Sequence, residues 1–572
     1  MTLSYTPETA RKIDQARTVH GRAFSDTLAK WPNFAHLFKS QVVARGDQTY
    51  LIYRNGDERQ KLTYREMFTR MCRTAHFMRD KLALKAGDRI VTVAYNHVDT
   101  VVATFAAWMI GATVVPFNAG EADERLVFAV NNADTKAIFV MPDMVARVEA
   151  LRDQFEQVPN YVQINGELVN AEYLSMSIEC QYGNPDEASL MNLANLNTEA
   201  LIVYTSGTTG APKGVVLDQQ NIIVCCQSIA DWHRITPEHR FMLVLPIHHV
   251  NGLMVTLVTP VVAGASTVLN HKFSASNYWR VAAEEKANCG SVVPTVLSFL
   301  CEAGKDNFTA AKCGIEFLIC GAGPLTVQTV ERFEDAFGVE VVHGYGLSET
   351  TVYTCYIPRG LPKAEHDKWL RSFGYPAIGI PISCNEMDIQ DPMGKSVPEG
   401  EKGEIVIRGQ NVMKCYYKRP DANADSFTHG WFRSGDEGFF KKDAQGNKYF
   451  FITGRLKELI IRGGVNYSPL EIDEVINRIP GVKAGMAVGF ENNMYGEEIG
   501  AYVVKENPAL TEQDVLDACA KELSFSKRPK VVVFGDEFPV TSTGKYQRLK
   551  LKGLFAQWKD TQFRDSSKQK TA

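Results

Sequence analysis

The chain has 572 residues, which is too many for one hydrophobic core, so we expect two or more domains. Hydrophobic residues at 45% and charged residues at 22% are typical of an ordinary soluble globular protein. The formal net charge of −4 argues against a protein that binds nucleic acid through bulk electrostatics.

No targeting or membrane segment is predicted from the sequence. The amino terminus has no basic stretch followed by an apolar one, so we expect no secretory signal. The most apolar stretch, residues 250–269, is interrupted by Asn251, Pro260 and internal glycines, which favours buried core over a membrane span. The 12 cysteines include no C-x-x-C pair and resemble neither a zinc pattern nor a secreted disulfide framework. We therefore expect a cytoplasmic protein.

The first part of the chain alternates between predicted helices and strands. Residues 1–45 have a helical pattern, and we expect Phe34 and Phe38 to pack onto the main body. A capping box formed by Thr63 and Glu66 predicts the start of the next helix. The continuing β-α-β alternation predicts an α/β fold in which helices cover both faces of a sheet.

A polar surface connection is predicted at residues 166–197, and a series of buried strands follows it. Each of these strands leads directly into a loop, and the strand-to-loop units cover residues 241–252, 291–295, 317–324 and 339–350. In an open α/β sheet, ligands bind beyond the carboxyl ends of the strands. We therefore expect these loops to converge on one site.

The last third of the chain has a different pattern. Residues 403–453 favour antiparallel strands, and residues 454–457 form the expected domain boundary, after which a compact α+β pattern follows. We predict an amino-terminal domain over residues 1–455, a small carboxyl-terminal domain over residues 456–557 and a polar tail over residues 558–572.

A glycine- and threonine-rich segment at residues 204–215 follows a short buried strand. Its glycines let the backbone approach a ligand, and its hydroxyls and successive backbone N–H groups suit an anion such as phosphate. The segment does not match a Walker A loop. The predicted phosphate contacts are Thr205, Ser206, Gly207, Thr208, Thr209 and Lys213. The alternative is a polar hairpin loop that carries a lysine by chance.

This segment resembles the signature phosphate loop of the adenylate-forming superfamily, which includes acyl-CoA synthetases, nonribosomal peptide adenylation domains and luciferases. The resemblance extends over nearly the whole chain. It implies a large α/β amino-terminal domain with a β-rich subdomain, a small mobile α+β domain, and a two-step reaction through an acyl-adenylate. Both reactants of the first step are anionic, so the enzyme must supply positive charge, a metal ion and alignment.

The resemblance also implies roles for residues around the nucleotide. Glu349 matches the Mg²⁺ ligand, Tyr345 the aromatic residue beside adenine, and Asp436 the residue that binds the ribose hydroxyls, with Arg455 as a second nucleotide contact. The other implied nucleotide contacts are Gly321, Ala322, Gly323, His343, Gly344, Gly346 and Ser348. The family usually has threonine at position 348, and serine keeps the hydroxyl. Without the resemblance, Glu349 could be a helix-starting glutamate stabilised by the helix dipole.

The implied catalytic residue of the small domain is Lys545. It matches the family lysine that bridges the carboxylate and the α-phosphate, a task that suits an ammonium on a flexible stem. Lys457 matches the hinge, and Gly463 and Gly464 match the tunnel for the CoA thiol. Because Lys545 and the phosphate loop belong to different domains, closure of the domains is expected to assemble the site.

Residues 245–252 contain no acidic residue, although amino-acid-activating relatives usually carry an aspartate there. This favours the acyl-CoA and aryl-CoA ligase branch, with His249 near the substrate carboxylate, although a structural histidine is the alternative. Trp232, Asn251 and Gly252 are the expected acyl-pocket residues. One amide does not separate fatty, aryl and hydroxy acids.

We therefore predict an ATP-dependent acid–CoA ligase that uses ATP, Mg²⁺ and coenzyme A and acts as a monomer or homodimer. One alternative is an acyl-AMP ligase that loads a carrier protein. A second alternative is a catalytically idle nucleotide-binding protein, and a luciferase-type oxygenase is a more distant one.

Overall fold

The structure is a computed structural model that describes residues 5–181, 185–205, 212–323, 325–540 and 546–564. Two sets of predicted site residues lie outside the described residues. They are Ser206, Gly207, Thr208 and Thr209 of the phosphate loop, and Lys545.

The first large sheet has eight strands and contains the phosphate-loop strand. In pairing order they are β19 (Cys415–Tyr416), β9 (Lys213–Asp218), β8 (Glu199–Thr205), β4 (Thr113–Phe117), β3 (Arg89–Val93), β5 (Thr135–Val140), β6 (Asn160–Gln163) and β7 (Leu174–Ser175). Pairing is parallel from β8 to β7, whereas β9 is antiparallel to both of its neighbours. Thr205 therefore pairs with Lys213 across a hairpin. The expected surface connection also contributes β7 to this sheet.

The second large sheet has nine strands. In pairing order they are β16 (Ile380–Pro381), β15 (Cys355–Tyr356), β14 (Glu340–Tyr345), β13 (Phe317–Cys320), β12 (Cys289–Val292), β10 (Arg240–Leu243), β11 (Ser266–Asn270), β1 (Thr49–Asn55) and β2 (Glu58–Thr63). Pairing is parallel from β14 to β1 and antiparallel at the two edges. The predicted α/β fold is confirmed, and its larger domain contains two large sheets.

Two smaller sheets follow in the chain. The first is antiparallel and contains β17 (Asn385–Gln390), β18 (Gly403–Gly409), β20 (Phe432–Lys442) and β21 (Lys448–Arg455). The last contains β22 (Ile460–Arg462), β23 (Val465–Tyr467), β24 (Val482–Asn492), β25 (Gly496–Lys505) and β26 (Val531–Gly535). The antiparallel strands predicted for residues 403–453 are confirmed. Residues 456–459 connect the two sheets, and the domain boundary expected at residues 454–457 stays a prediction.

Helices cover the sheets of the larger part. They are α1 (Pro7–Ala16), α2 (Phe34–Arg45), α3 (Tyr64–His76), α4 (Val98–Met109), α5 (Asp123–Asn132), α6 (Val145–Ala150), α7 (Met176–Glu179), α8 (Gln219–His233), α9 (Thr259–Ala263), α10 (Tyr278–Glu284), α11 (Pro294–Glu302), α12 (Lys305–Ala311), α13 (Val327–Phe337), α14 (Lys363–Arg371) and α15 (Pro420–Ser426). The last sheet carries α16 (Pro469–Asn477) and α17 (Glu512–Glu522). π-helical turns span Phe77–Lys81 and Asn251–Val258, and a 3-10 helix spans Arg548–Trp558.

The main core lies between the two large sheets. Helices α4 and α8 are buried on almost every face, and their residues share one hydrophobic cluster with strands of both sheets. A helix that is apolar all round has to be covered on all sides. Phe34 and Phe38 are buried in the same cluster, as predicted. The capping box at the start of α3 is also confirmed, because Thr63 and Glu66 exchange hydrogen bonds of 2.8 Å and 3.2 Å.

Helix α16 of the last sheet contacts the larger part of the chain at α13. The backbone N–H of Val327, the first residue of α13, donates to Glu474 Oε1 at 3.2 Å. An ion pair of 3.4 Å between Lys483 and Glu302 adds a second contact. Burial raises the pKa of the Glu474 carboxyl to about 7, although the Val327 N–H opposes the shift.

Candidate active site

The functional loops lie at one edge of the nine-stranded sheet. Strands β10, β12, β13 and β14 are parallel neighbours, so their carboxyl ends lie side by side. The loops that leave these strands carry His249, Gly321 and Glu349. The predicted convergence of these loops is confirmed, and the edge is the place where an open α/β sheet binds ligands.

Asp436 is held between two donors from different elements. The Tyr345 hydroxyl donates to Asp436 Oδ2 at 2.6 Å, and Arg455 Nε lies 3.5 Å from Oδ1. Asp436 and Arg455 are direct partners in the pairing of β20 with β21, so the sheet register places them together. Burial raises the pKa of the Tyr345 phenol well above its usual range, and the Asp436 carboxylate raises it further. A fixed, buried carboxylate suits two neighbouring ribose hydroxyls.

Glu349 lies in a 3-10 turn, Ser348–Thr350, immediately beyond β14. The Tyr416 hydroxyl donates to Glu349 Oε1 at 2.7 Å, and the backbone N–H of Met413 donates to the Glu349 carbonyl at 2.7 Å. Both partners belong to the chain around β19, in the other large sheet. Tyr416 therefore fixes one carboxylate oxygen of Glu349.

Positively charged side chains lie near Glu349. Lys213 Nζ lies 4.8 Å from the centre of the Tyr416 ring, which is a cation–π distance. Burial lowers the pKa of the Lys213 ammonium, the nearby charge of Lys457 lowers it further, and Glu349 opposes the shift. The pKa of Arg455 is raised chiefly by Asp436 and to a smaller extent by Glu349. Lys213 and Arg455 therefore supply positive charge to this part of the site, which suits an anionic ligand.

The residues around Glu349 fit the binding of the Mg²⁺ ion that the family resemblance implies. Among the described residues, no cluster of three or more histidines, cysteines or carboxylates could hold a metal ion. Mg²⁺ does not need such a cluster, because in phosphate sites it is bound by one or two carboxylates together with phosphate oxygens and water. A single oriented carboxylate at Glu349 fits that mode of binding.

The glycines of the adenine segment are required by close packing. A Cβ atom on Gly321 would lie 2.6 Å from both the Gly344 carbonyl oxygen and the Tyr353 hydroxyl. Ala322 has a φ of 66°, in the left-handed region. The segment therefore forms a tight turn at the end of β13. Its contact with adenine stays a prediction.

His343 is an interior residue of β14. Its Nδ1 lies 2.8 Å from the Ala377 carbonyl oxygen, and burial lowers its pKa to about 4. Ser348 opens the turn that carries Glu349. Their predicted contacts with the nucleotide stay predictions.

The residues predicted to bind the carboxylic acid substrate lie around positions 246–252. The rings of His248 and His249 are 4.3 Å apart, and burial lowers the pKa of His248 to about 4. Asn251 is buried and accepts a hydrogen bond from Ser291 Oγ at 2.7 Å. A Cβ atom on Gly252 would lie 2.5 Å from the Pro246 carbonyl oxygen, so Gly252 is fixed by packing. Trp232 on α8 is partly buried against the main core.

The predicted hinge and tunnel residues lie next to the connection at 456–459. Lys457 is exposed within it. Gly463 and Gly464 join β22 to β23 with φ values of 58° and 79°, which favour glycine. These conformations agree with a tight turn, and the tunnel role stays a prediction.

Sequence reasoning did not predict three hydrogen-bond partners of the candidate residues. Tyr416 orients Glu349, while Ser291 and Tyr353 hold Asn251. None of them stands in a charged or glycine-rich motif, and each meets its partner only through the sheet order.

Comparisons with known proteins show which family the chain belongs to. The model of the AMP-binding enzyme family matches residues 38–417, and that of the AMP-binding enzyme C-terminal domain matches residues 471–545. A sulfoacetate–CoA ligase from Cupriavidus necator is 38% identical over 77% of this chain and 82% of its own. An oxalate–CoA ligase from Arabidopsis thaliana is 31% identical over 85% of this chain and 92% of its own. The structure of ATP-bound MatB from Rhodopseudomonas palustris matches with a TM-score of 0.79 and 27% identity, covering 91% of this chain and 99% of that one.

The chain therefore belongs to the AMP-binding enzyme family, which is the adenylate-forming superfamily. Within it, the protein is an AMP-forming acid–CoA ligase that uses ATP, Mg²⁺ and coenzyme A. No described helix is long and apolar enough to cross a membrane.

Proposed function

We propose that this ligase activates a short carboxylic acid that carries a second acidic group. Two relatives support this substrate class, since one is named for sulfoacetate and the other for oxalate. Both acids place a second anionic group within two carbon atoms of the reacting carboxylate. The alternative class is a long-chain fatty acid, for which a relative from Mycobacterium tuberculosis is named at 29% identity.

The observation that carries the proposed mechanism is the pairing of Asp436 with Arg455, together with a Glu349 carboxylate that is bonded to Tyr416, whose ring Lys213 contacts. In the first step, a carboxylate oxygen of the acid attacks the α-phosphorus of ATP, and pyrophosphate leaves. We assign Asp436 to the ribose hydroxyls and Arg455 to the nucleotide beside it. Lys213 and the phosphate loop contact the phosphates, so that positive charge offsets the repulsion between two anions.

Glu349 would hold Mg²⁺, which supplies charge neutralisation on the phosphate oxygens when it is bound. Tyr416 keeps Glu349 in place through its 2.7 Å hydrogen bond. Lys545 is assigned to the transition state, between the carboxylate and the α-phosphate. His249 is assigned to the entrance of the carboxylate.

In the second step, the thiol of CoA attacks the acyl carbonyl of the adenylate, and AMP leaves. We propose that the domain after residue 455 rotates about Lys457 to bring the turn at Gly463 and Gly464 to the site. The single connection at residues 456–459 and the sparse contacts between α13 and α16 support such a motion. A reducing cytoplasm agrees with the 12 cysteines, all of which are free.

The test is pyrophosphate release by the purified protein with oxalate, malonate, succinate, sulfoacetate, butyrate and hexadecanoate, each with and without CoA. We expect multiple turnovers with CoA for at least one of the four acids that carry a second acidic group. Preference for butyrate or hexadecanoate would overturn the substrate class and leave the family assignment standing.

A further inference from the structure

We propose that Thr351 and Asn411 are positioning residues, which fix the loop that carries Glu349 and thereby the place of the Mg²⁺ ion in the first step. This inference rests on the proposed role of Glu349 as the Mg²⁺ ligand. Neither residue was among the predicted site residues. The Glu349 loop denotes residues 346–354, which join β14 to β15, and the clamp segment denotes residues 411–417, which include β19.

The Glu349 loop contains a strained backbone turn directly after the 3-10 turn of Glu349. Thr351 has a φ of 67° and a ψ of −52°, and the Val352 N–H donates to the Thr350 carbonyl at 2.8 Å. This is a γ-turn with positive φ, the rarer and more strained of the two γ-turn types. Threonine is β-branched and rarely adopts positive φ. Such a conformation persists only where the surrounding structure holds it in place.

The clamp segment supplies bonds that hold this turn. Thr351 Oγ1 donates to the Asn411 carbonyl at 2.8 Å. The Asn411 amide nitrogen lies 3.0 Å from the carbonyl oxygen of Thr350 and 3.1 Å from that of Tyr353. Thr351 and Asn411 are both fully buried, so solvent does not compete for these bonds. The backbone is therefore fixed on both sides of the γ-turn.

The side chain of Asn411 is itself held by Asn385. Asn385 Nδ2 donates to Asn411 Oδ1, and Asn385 Oδ1 lies 3.0 Å from Asn411 Nδ2. The two amides also pack against Gly409, where a Cβ atom would lie 2.8 Å from Asn411 Oδ1. The Asn411 amide therefore has little freedom to turn. A side chain that is fixed in this way can transmit the position of its own segment to the Glu349 loop.

The clamp segment links Glu349 to the strand that begins at Lys213. On one side, the backbone N–H of Met413 donates to the Glu349 carbonyl at 2.7 Å. On the other side, the backbone N–H of Tyr417 donates to the Gly214 carbonyl at 2.7 Å, and Gly214 follows Lys213 at the start of β9. The segment thus sets the distance between the proposed Mg²⁺ ligand and a proposed phosphate contact.

The orientation of a metal ligand affects how tightly the metal is bound. Residues that orient a metal ligand typically contribute about 10- to 100-fold to metal affinity or activity. Without the bonds to the clamp segment, the Glu349 carboxylate would keep its charge but would no longer be held in register with the phosphates of ATP. We therefore expect the loss of these bonds to weaken the binding of ATP with Mg²⁺ and to leave the binding of metal-free ATP unchanged.

Two substitutions of Thr351 test the inference. Thr351→Val removes the hydroxyl and keeps the β-branched shape, whereas Thr351→Ser keeps the hydroxyl. The measured quantity is the Kd of ATP without any acid, first at a fixed concentration of MgCl₂ and then in EDTA. We expect Thr351→Val to raise the Kd with Mg²⁺ about 10-fold and to leave the Kd in EDTA unchanged. Thr351→Ser should stay within about 2-fold of the wild type in both conditions.

Asn411→Ala is a second, independent variant. It removes the amide that holds the Thr350 carbonyl, and the Kd with Mg²⁺ should again rise, by about 10- to 100-fold, without a change in EDTA. This variant decides the test if Thr351→Val does not fold.

Thr135→Val is the matched control for Thr351→Val. The Thr135 hydroxyl is buried and donates to the Val130 carbonyl at 2.8 Å, and β5 carries none of the predicted site residues. Because both variants lose one buried hydrogen bond, both should lower the midpoint of thermal unfolding. Only Thr351→Val should raise the Kd of ATP with Mg²⁺. A lower midpoint with an unchanged Kd in Thr351→Val would show a purely structural role and would overturn the inference.

Glu349→Gln separates this inference from the proposed function. If Glu349→Gln raises the Kd with Mg²⁺ while Thr351→Val and Asn411→Ala keep the wild-type value, the positioning role is wrong and the role of Glu349 stands. Equal losses in Thr351→Val and Thr351→Ser would also overturn the positioning role, because serine keeps the hydroxyl. If Glu349→Gln leaves the Kd with Mg²⁺ unchanged, the role of Glu349 fails, and the positioning role fails with it. No acid is present, so the result does not depend on the proposed substrate class.

Discussion

The proposed nucleotide side and the proposed acid side of this site are built from different chemistry. Charged groups dominate the nucleotide side, where Asp436, Glu349, Lys213 and Arg455 act on one another through space. Neutral groups dominate the acid side, where buried hydrogen bonds hold Asn251 in place. ATP is the same molecule whichever acid is activated, so one charged surface can serve the reaction with every acid. The acids differ in shape and polarity, and a rigid neutral surface can distinguish them.

The largest effect is expected from Lys545→Ala, which tests whether the charged side acts in the first step alone. Removing a charge that stabilises the transition state costs on the order of 10³-fold in rate. ATP–pyrophosphate exchange should fall by about that factor, while thioester formation from supplied acyl-AMP is largely retained. Lys550→Ala is the control, because Lys550 is an exposed lysine nearby in the chain. An equal loss in both half-reactions would contradict the assignment.

A smaller effect is expected from Tyr416→Phe, which removes the hydrogen bond to Glu349. The carboxylate keeps its charge but loses its fixed orientation, so we expect about a 10-fold loss in activity. The loss should be accompanied by a higher Mg²⁺ concentration at half-maximal rate, whereas the relative kcat/KM values for different acids should not change. Tyr417→Phe is the control, since the Tyr417 hydroxyl donates to Asp134 at 2.9 Å. A loss of activity with an unchanged Mg²⁺ requirement would show that Tyr416 does not act through Glu349.

The smallest effect on activity is expected from Glu474→Gln, which lies on neither side of the site. Its pKa is raised from an ordinary value near 4.5 to about 7, so the folded state holds the proton more tightly than the unfolded state does. Glu474 therefore makes the free energy of unfolding fall as the pH rises from about 4.5 through 7, after which its effect is constant.

Glutamine keeps the acceptor for the Val327 N–H and removes the charge. The variant should therefore be more stable than the wild type above pH 7, by about 1–3 kcal/mol. Denaturant unfolding at pH 5, 6, 7 and 8 measures this, with the exposed Glu506→Gln as control. The same stability difference at pH 5 and pH 8 would contradict the raised pKa.

The sequence predicted several candidate site residues but not the partners that hold them in place. Asp436, Arg455 and Glu349 were expected from motifs, because charged and glycine-rich segments keep recognisable patterns. In the structure, Arg455 lies beside Asp436. The partners of these residues were not predictable. Tyr416 reaches Glu349 from the other large sheet, and Ser291 meets Asn251 only because β10 and β12 are neighbours. Strand order of this kind is decided by long-range packing and not by local sequence.

The fold, too, was predictable where it depends on local sequence and not where it depends on long-range packing. Local signals predicted the capping box of α3 and the antiparallel strands after residue 403, since both depend on nearby residues. The assignment of each parallel strand to one or the other of the two large sheets was not predicted. It depends on burial of α4 and α8 from both sides, which a helical pattern alone does not reveal.

The central claim is that this acid–CoA ligase acts on a short acid with a second acidic group. The most direct measurement is the comparison of kcat/KM for sulfoacetate, oxalate, malonate and succinate with that for butyrate, at saturating ATP and CoA. The account predicts that one of the first four acids exceeds butyrate by at least about 100-fold. A higher kcat/KM for butyrate than for all four would contradict it.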